Sequence, residues 1–185
     1  MIETLTRRAA LVVGAAGLVL LAQGLWIPAK AQLAQILLER AFERSVATGE
    51  PQKPWPWADT VPVARVEAER LHVSEIVLAG GSGQAMAFGP AELTGLPRDV
   101  RVLAGHRDTH FRFMRDLRQG DTLSLHGVDG SRVRYRIVGF ATVRWDRFAY
   151  PVMPARPLLA LATCYPFDAR HHGPLRRVAW AERIA

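Results

Sequence analysis

The chain has 185 residues, 49% of them hydrophobic, and its 24 basic and 17 acidic side chains give a formal net charge of +7. That is room for one domain of ordinary size plus a small attachment, with apolar residues enough for a core. The basic balance does not describe a nucleic-acid surface, because the arginines are scattered along strand-like runs with no Lys/Arg cluster and no aromatic RNA-binding motif; a positive surface facing an anionic bilayer accounts for it more simply.

Taken in order, residues 1–8 form a short N-terminus ending in Arg7 and Arg8. Residues 9–28 carry no charge, and Gln23 is the most polar of them. About twenty apolar residues at 1.5 Å each match a bilayer core of about 30 Å. The two arginines hold the N-terminus in the cytoplasm by the positive-inside rule, and Trp26 sits where an interfacial aromatic belongs. The expected state is an uncleaved signal anchor. The alternative is a cleaved signal peptide, with Ala29-Lys30-Ala31 as its cleavage site, but the apolar run is longer than an ordinary signal-peptide core. Residues 29–50 read as an amphipathic helix. Ala34, Leu37, Leu38, Ala41 and Phe42 recur at helical spacing opposite Gln35, Glu39, Glu43 and Arg44, and Gly49 and Pro51 end it. It either continues the membrane helix as a stalk, packs on the following domain, or remains a solvated spacer.

Residues 51–60, with Pro54-Trp55-Pro56-Trp57-Ala58-Asp59, form a stiff, extended linker. Two tryptophans rarely stay in water, so at least one ring is expected to pack on the domain as part of a strap. From residue 61 to 185 strand signals dominate, over 61–66, 71–78, 100–105, 121–125, 133–142, 158–164 and 175–184. Residues 80–83 read as a turn, and Asp129-Gly130 as a hairpin turn. Residues 90–93 and 111–117 each have room for a turn or two of helix. Many short strands with few helices suggest a barrel or a sandwich.

Chemistry centres on Cys164, the only cysteine. Alternation along 158–164 puts Leu159, Leu161 and Thr163 on one face and Ala160, Ala162 and Cys164 on the other. The thiol therefore ends a strand on a face cleared of bulk, and Pro166 stops the strand just beyond it. A thiol becomes a nucleophile with help from an imidazole or a cation. Another apolar strand ends on Gly105-His106, and a third opens at Pro174-Leu175-Arg176-Arg177. His106, Cys164 and an arginine thus each stand at the end of a strand. His110 is the alternative histidine, although its place past a turn suits a loop-ordering role. Asp108 and Thr109 are candidate supporting groups. The remaining histidines lack the spacing of a metal site.

This constellation resembles the sortases, cysteine transpeptidases that join surface proteins to amine acceptors. The resemblance rests on Gly105-His106-Arg107-Asp108-Thr109-His110-Phe111 and on Ala160-Leu161-Ala162-Thr163-Cys164-Tyr165-Pro166-Phe167, and it covers residue 61 to the C-terminus. Ala160 stands where the family's T-L-x-T-C box has its first threonine. The Lys30 to Asp59 stretch, with its Pro54-Trp55-Pro56-Trp57-Ala58-Asp59, looks more narrowly like the sortases of Gram-negative marine bacteria. The resemblance implies a mainly β, eight-stranded barrel with short helices, a sorting-signal substrate of the L-P-x-T-G kind, an amine acceptor and no cofactor. It makes Cys164 the nucleophile, His106 the general acid and base, and one arginine the carbonyl clamp. Strand alternation lets only one of Arg176 and Arg177 serve. The family's proline two residues before the arginine fits Arg176, with Arg177 the alternative. A thiol hydrolase on the same residues, or a peptide-binding barrel without catalysis, would share most of these features.

The implied topology is a single-pass protein of the inner membrane with its barrel in the periplasm. A reporter fused after Leu125 is expected to be active outside the cytoplasm, and a cytoplasmic signal there would reverse the orientation.

Overall fold

The computed structural model describes residues 2–169, 171 and 173–184, with the side chains of residues 2–6, 8–10, 12 and 84 outside that description. A long helix, α1 (Ile2–Thr48), is followed by strands β1 (Pro62–Ala68) and β2 (Val73–Ala79), helix α2 (Gly83–Phe88), and strands β3 (Ala91–Glu92), β4 (Val100–Ala104), β5 (Thr122–Gly127), β6 (Arg132–Arg144), β7 (Leu158–Tyr165) and β8 (Leu175–Ile184). The chain divides into two compact units, Met1–Ile36 and Leu37–Ala185.

The first unit is the N-terminal part of α1. Leu18, Leu21, Leu25 and Ile27 are exposed there. Among the described residues this is the helix long and apolar enough to cross a membrane, a property that an anchor and a signal sequence share. Pro28 lies inside α1 and does not end it. The apolar and amphipathic segments that the sequence separates are therefore one helix.

In the second unit, the end of α1 turns Leu38, Ala41, Phe42 and Ser45 inward, at the i, i+3, i+4, i+7 spacing of a buried face. Leu38 and Phe42 pack against Ile76 and Leu78 of β2 and Ala85 of α2, each contributing about 1.5–3 kcal/mol by burial. Of the three expectations for this segment, continuation of the apolar helix holds, since α1 runs unbroken to Thr48, and packing on the domain holds from Leu38 onward. The helix ends at Gly49, whose positive φ of 71° suits a residue without a side chain.

The strands close into a barrel in the order β1-β2-β3-β4-β7-β8-β6-β5. Closure leaves no free edge. Most neighbours are antiparallel, but β2–β3 and β4–β7 run parallel. Inward-facing side chains such as Val66, Val77, Leu103, Leu125, Leu159 and Leu161 fill the interior. Strand β1 shows the alternation directly, with every second residue from Pro62 to Ala68 buried. In β6 the register against β8 shifts between Ile137 and Gly139, and a bulge of this kind bends a long strand around a barrel.

All seven expected strands are present with slightly shifted ends. The eighth, β3, falls in the segment expected to be helical. Its two residues pair parallel with Leu78-Ala79 and antiparallel with Leu103-Ala104, so tertiary pairing overrides the local signal. Residues 80–83 are only partly a turn. Ser82 caps α2 by accepting a hydrogen bond from the Ala85 amide at 3.0 Å, and Gly83 opens the helix. In the 111–117 segment a 3-10 turn spans Arg112–Arg115, with Phe113 and Met114 buried. Of the two strap tryptophans, Trp55 packs edge-on against Phe88 with ring centroids 5.0 Å apart, while Trp57 is exposed.

Candidate active site

Strands β4 and β7 pair in parallel from Val100 opposite Leu158 to Ala104 opposite Ala162. Two residues past the last pair stand His106 on one strand and Cys164 on the other. Parallel register thus delivers the imidazole and the thiol to the same end of the sheet. The ladder continues one step further, with the Gly105 amide donating to the Ala162 carbonyl at 3.1 Å. Thr163, buried on the interior face, then donates its hydroxyl to the Gly105 carbonyl at 2.7 Å. The residue before the cysteine therefore holds the residue before the histidine.

Beyond Gly105 the chain turns sharply, and the His106 carbonyl accepts from the Phe111 amide at 3.0 Å. The fully buried Phe111 ring lies directly over Gly105, where an added Cβ would come within 2.8 Å of it. Glycine here is required by close approach, not by backbone angle. Arg107 bridges this turn to the one after β7. Its buried guanidinium forks onto Asp108 at 2.8 and 2.9 Å and donates to the Pro166 carbonyl at 2.7 Å. The hydrogen-bonded Asp108 carboxylate raises the Arg107 guanidinium above its ordinary range, against the opposing effect of burial.

Strand β8 runs antiparallel to β7, with Arg176 opposite Cys164 and Arg177 opposite Thr163. Directly opposed residues share a face of the sheet. Arg176 therefore stands on the cysteine's face, and its Nη1 donates to the Gly173 and Leu175 carbonyls at 2.9 and 2.8 Å. Its Nε and Nη2 carry no hydrogen bond among the described residues. Arg177 points the other way. It donates to the Thr142 hydroxyl at 3.2 Å and lies over the Phe140 ring at 4.8 Å.

His106, Cys164 and Arg176 line one cavity of about 420 Å³. Its floor is Val102, Ala104 and Ala162, and Met86 and Leu93 form a wall. Trp145 and Phe148, from the loop joining β6 to β7, also line it. Phe148 stacks on Trp180 of β8, with centroids 5.9 Å apart and planes 3° apart, whereas Trp145 is exposed. The aromatic loop is thus partly packed on the barrel and partly exposed at the cavity. The lining suits an extended apolar peptide approaching the thiol.

The other candidates lie elsewhere. His110 Nδ1 is 2.8 Å from Glu75 Oε2 of β2, tying the loop to the barrel. His126 faces Glu67 at 3.6 Å, and His172 lies outside the described residues. Among the described residues no cluster of three His, Cys, Asp or Glu side chains is arranged to hold a metal. The supporting roles of Arg107 and Gly105 were not read from the sequence. Arg107 looks like any loop arginine until the two turns are seen side by side. Met86 was missed because its helix was.

A family model described as "Sortase domain" matches residues 66–184. The chain belongs to the sortase family. This sortase is 34% identical over 84 residues to "Sortase D" of Bacillus subtilis (strain 168), a match covering 45% of this chain and 42% of that protein, so the alignment spans less than half of that relative. It is similar to sortase C-1 from Actinomyces oris, at 25% identity with 67% of this chain and 75% of that one covered and a TM-score of 0.57. Sortase C1 from Streptococcus suis shares the fold at 23% identity, with coverages of 67% and 73% and a TM-score of 0.60. Sortase A from Corynebacterium diphtheriae shares it at 18% identity, with coverages of 70% and 63% and a TM-score of 0.60.

The Thr163–Gly105 bond generates a direct test. Thr163→Val keeps the shape and removes the buried donor, and is expected to cost about 1–3 kcal/mol by leaving the carbonyl unpaired. It should also slow alkylation of Cys164 or turnover, with Thr163→Ser restoring both. Gly105→Ala should destabilise by a similar amount, about 1–3 kcal/mol, through overpacking against Phe111. Thermal unfolding and thiol-labelling rates measure both, and unchanged values in Thr163→Val would remove the bond's positioning role.

Proposed function

We propose that this sortase is a membrane-anchored cysteine transpeptidase that uses Cys164, His106 and Arg176. The observation that carries this is the strand register, which supports one cavity holding all three side chains with Arg176, not Arg177, on the thiol's face. In the proposed reaction the Cys164 thiol gives its proton to His106 as the sulfur attacks the scissile carbonyl of a sorting signal of the L-P-x-T-G kind. The C–N bond breaks, His106 protonates the leaving amine, and a thioester remains on the enzyme. Arg176 donates to the carbonyl oxygen as negative charge develops there. An incoming amine then attacks the thioester, the C–S bond breaks, and His106 passes the amine's proton to the departing Cys164 sulfur, which regenerates the thiol. Atoms balance without a cofactor.

The proposed organisation is a cytoplasmic N-terminus over residues 1–8, a signal anchor over 9–28, an amphipathic helix over 29–50, a linker over 51–60 and a catalytic barrel over 61–185 in the periplasm. The long apolar start of α1 and the paired Arg7-Arg8 support it. The Lys30 to Asp59 stretch supports the narrower affinity to sortases of Gram-negative marine bacteria.

Peptide turnover and acyl-enzyme formation in five variants, each checked for folding, test the assignment. Cys164→Ala should abolish both. His106→Ala should lose about 10² to 10⁴ in rate, and Arg176→Ala about 10² to 10³. Arg176→Lys should rescue poorly, because an ammonium does not reproduce the guanidinium fork. Arg177→Ala should be nearly silent. An inactive Arg177→Ala with an active Arg176→Ala would move the clamp to the other face. If added amine leaves the product unchanged, the enzyme is a thiol hydrolase instead.

A further inference from the structure

Helix α2 carries Met86 on the wall of the cavity that holds Cys164. It has only six residues and is an insert between two strands. Its Ala85 and Phe88, three residues apart on one helical face, turn away from the cavity into the cluster with Leu38 and Phe42 of α1. Met86, one residue on from Ala85, stands about 100° around the helix from it.

The strap of residues 51–60 meets α2 at both ends. At its C-terminal end the Trp55 ring packs edge-on against Phe88, at 5.0 Å and 70° between planes. At its N-terminal end Ser82, the capping residue, donates its hydroxyl to Asp59 Oδ2 at 3.3 Å while accepting from the Ala85 amide. The strap is itself anchored. The Gln52 amide donates to the Ser45 hydroxyl at 2.8 Å, and Ser45 donates to the Ala41 carbonyl at 2.8 Å. The Ala58 amide closes a turn onto the Trp55 carbonyl at 3.0 Å, and the Thr60 hydroxyl donates to the Ala79 carbonyl at 2.9 Å. At Gly89, just past α2, an added Cβ would lie 2.6 Å from the Ile76 carbonyl oxygen, so the helix end is pressed against β2.

We propose that the 51–60 strap and the Leu38–Ser45 face of α1 form a brace that sets the position of Met86 and so the fit of the cavity to an apolar side chain of the peptide. Trp55 is a positioning residue acting through α2, and Met86 is a specificity-determining residue. The proposal rests on the peptide-cleaving reading of the same cavity. Among the described residues no sheet hydrogen bond fixes α2, so the packing of Ala85 on Leu38 and Phe42 and the contacts at its two ends decide where its cavity side stands.

The test is a double-mutant cycle on the full-length chain in detergent, with Trp55→Ala, Met86→Ala, the double variant and Trp55→Phe. Two readouts are taken. The first needs no substrate: the rate of Cys164 modification by a bulky maleimide divided by that by iodoacetamide. Loosening or trimming the wall is expected to raise this ratio about threefold or more in each single variant. The double variant should show no further rise, because residues acting through one another are not additive. Trp55→Phe should stay near wild type. The second readout is peptide turnover, where KM should rise about tenfold in each single variant, the scale of a lost apolar pocket contact, while kcat stays within about twofold. Additive effects in the cycle, an unchanged labelling ratio, or a loss confined to kcat would overturn the brace. A wild-type chain that cleaves no peptide would instead overturn the proposed function, and the labelling cycle would still decide the brace.

Discussion

The parallel pairing of β4 with β7 is the constraint on which the site depends. Parallel strands carry their ends in the same direction, so the residues that follow each strand emerge together. With Ala104 opposite Ala162, the next positions but one are His106 and Cys164. A slip of one residue would send Cys164 to the barrel interior and Thr163 to the cavity, because side chains alternate faces. The register is held from both sides. Leu103, Leu159 and Leu161 are fully buried in the core, and the Thr163 hydroxyl closes onto Gly105 just where the ladder ends. Packing fixes which face is which, and the hydrogen bond fixes how far the two turns sit from one another.

The other parts attach to this pair. Strand β8 sets Arg176 across from the thiol, and Arg107 joins the two turns through Asp108 and the Pro166 carbonyl. Beneath the cavity Val100, Val102, Ala160 and Val178 form a second apolar cluster outside the barrel, flanked by Phe148 and Trp180. The small side chains at 160 and 162 leave room above them, and the larger ones around the rim make walls. Charged and polar donors are thus placed at the edge of an apolar cavity, where a peptide would displace water and strengthen each hydrogen bond to it.

How much of this was legible follows from what each feature depends on. The Cys164 face was readable because alternation is local, and so was the opposition of Arg176 and Arg177 across a strand. The seven long strands carried enough β-branched and apolar residues to be seen. Strand β3 was not, since two residues have no period and are strands only because Leu78 and Leu103 lie on either side. Helix α2 was hidden by the glycines before it, which signal a turn, while its cap depends on a single serine. The continuity of α1 through Pro28 was one of the alternatives left open, because a proline inside an apolar run signals neither a stop nor a continuation by itself. The adjacency of β4 and β7, with 53 residues between the end of one and the start of the other, has no local signal.

Intact-mass spectrometry of the enzyme with a sorting-signal peptide tests the central claim most directly. A pause before amine addition should leave a covalent adduct of the N-terminal peptide fragment on Cys164 as a thioester, sensitive to hydroxylamine and discharged by the acceptor amine with release of the joined product. Cleavage with the fragment attached to a residue other than Cys164, or turnover by a Cys164→Ala chain, would contradict the account.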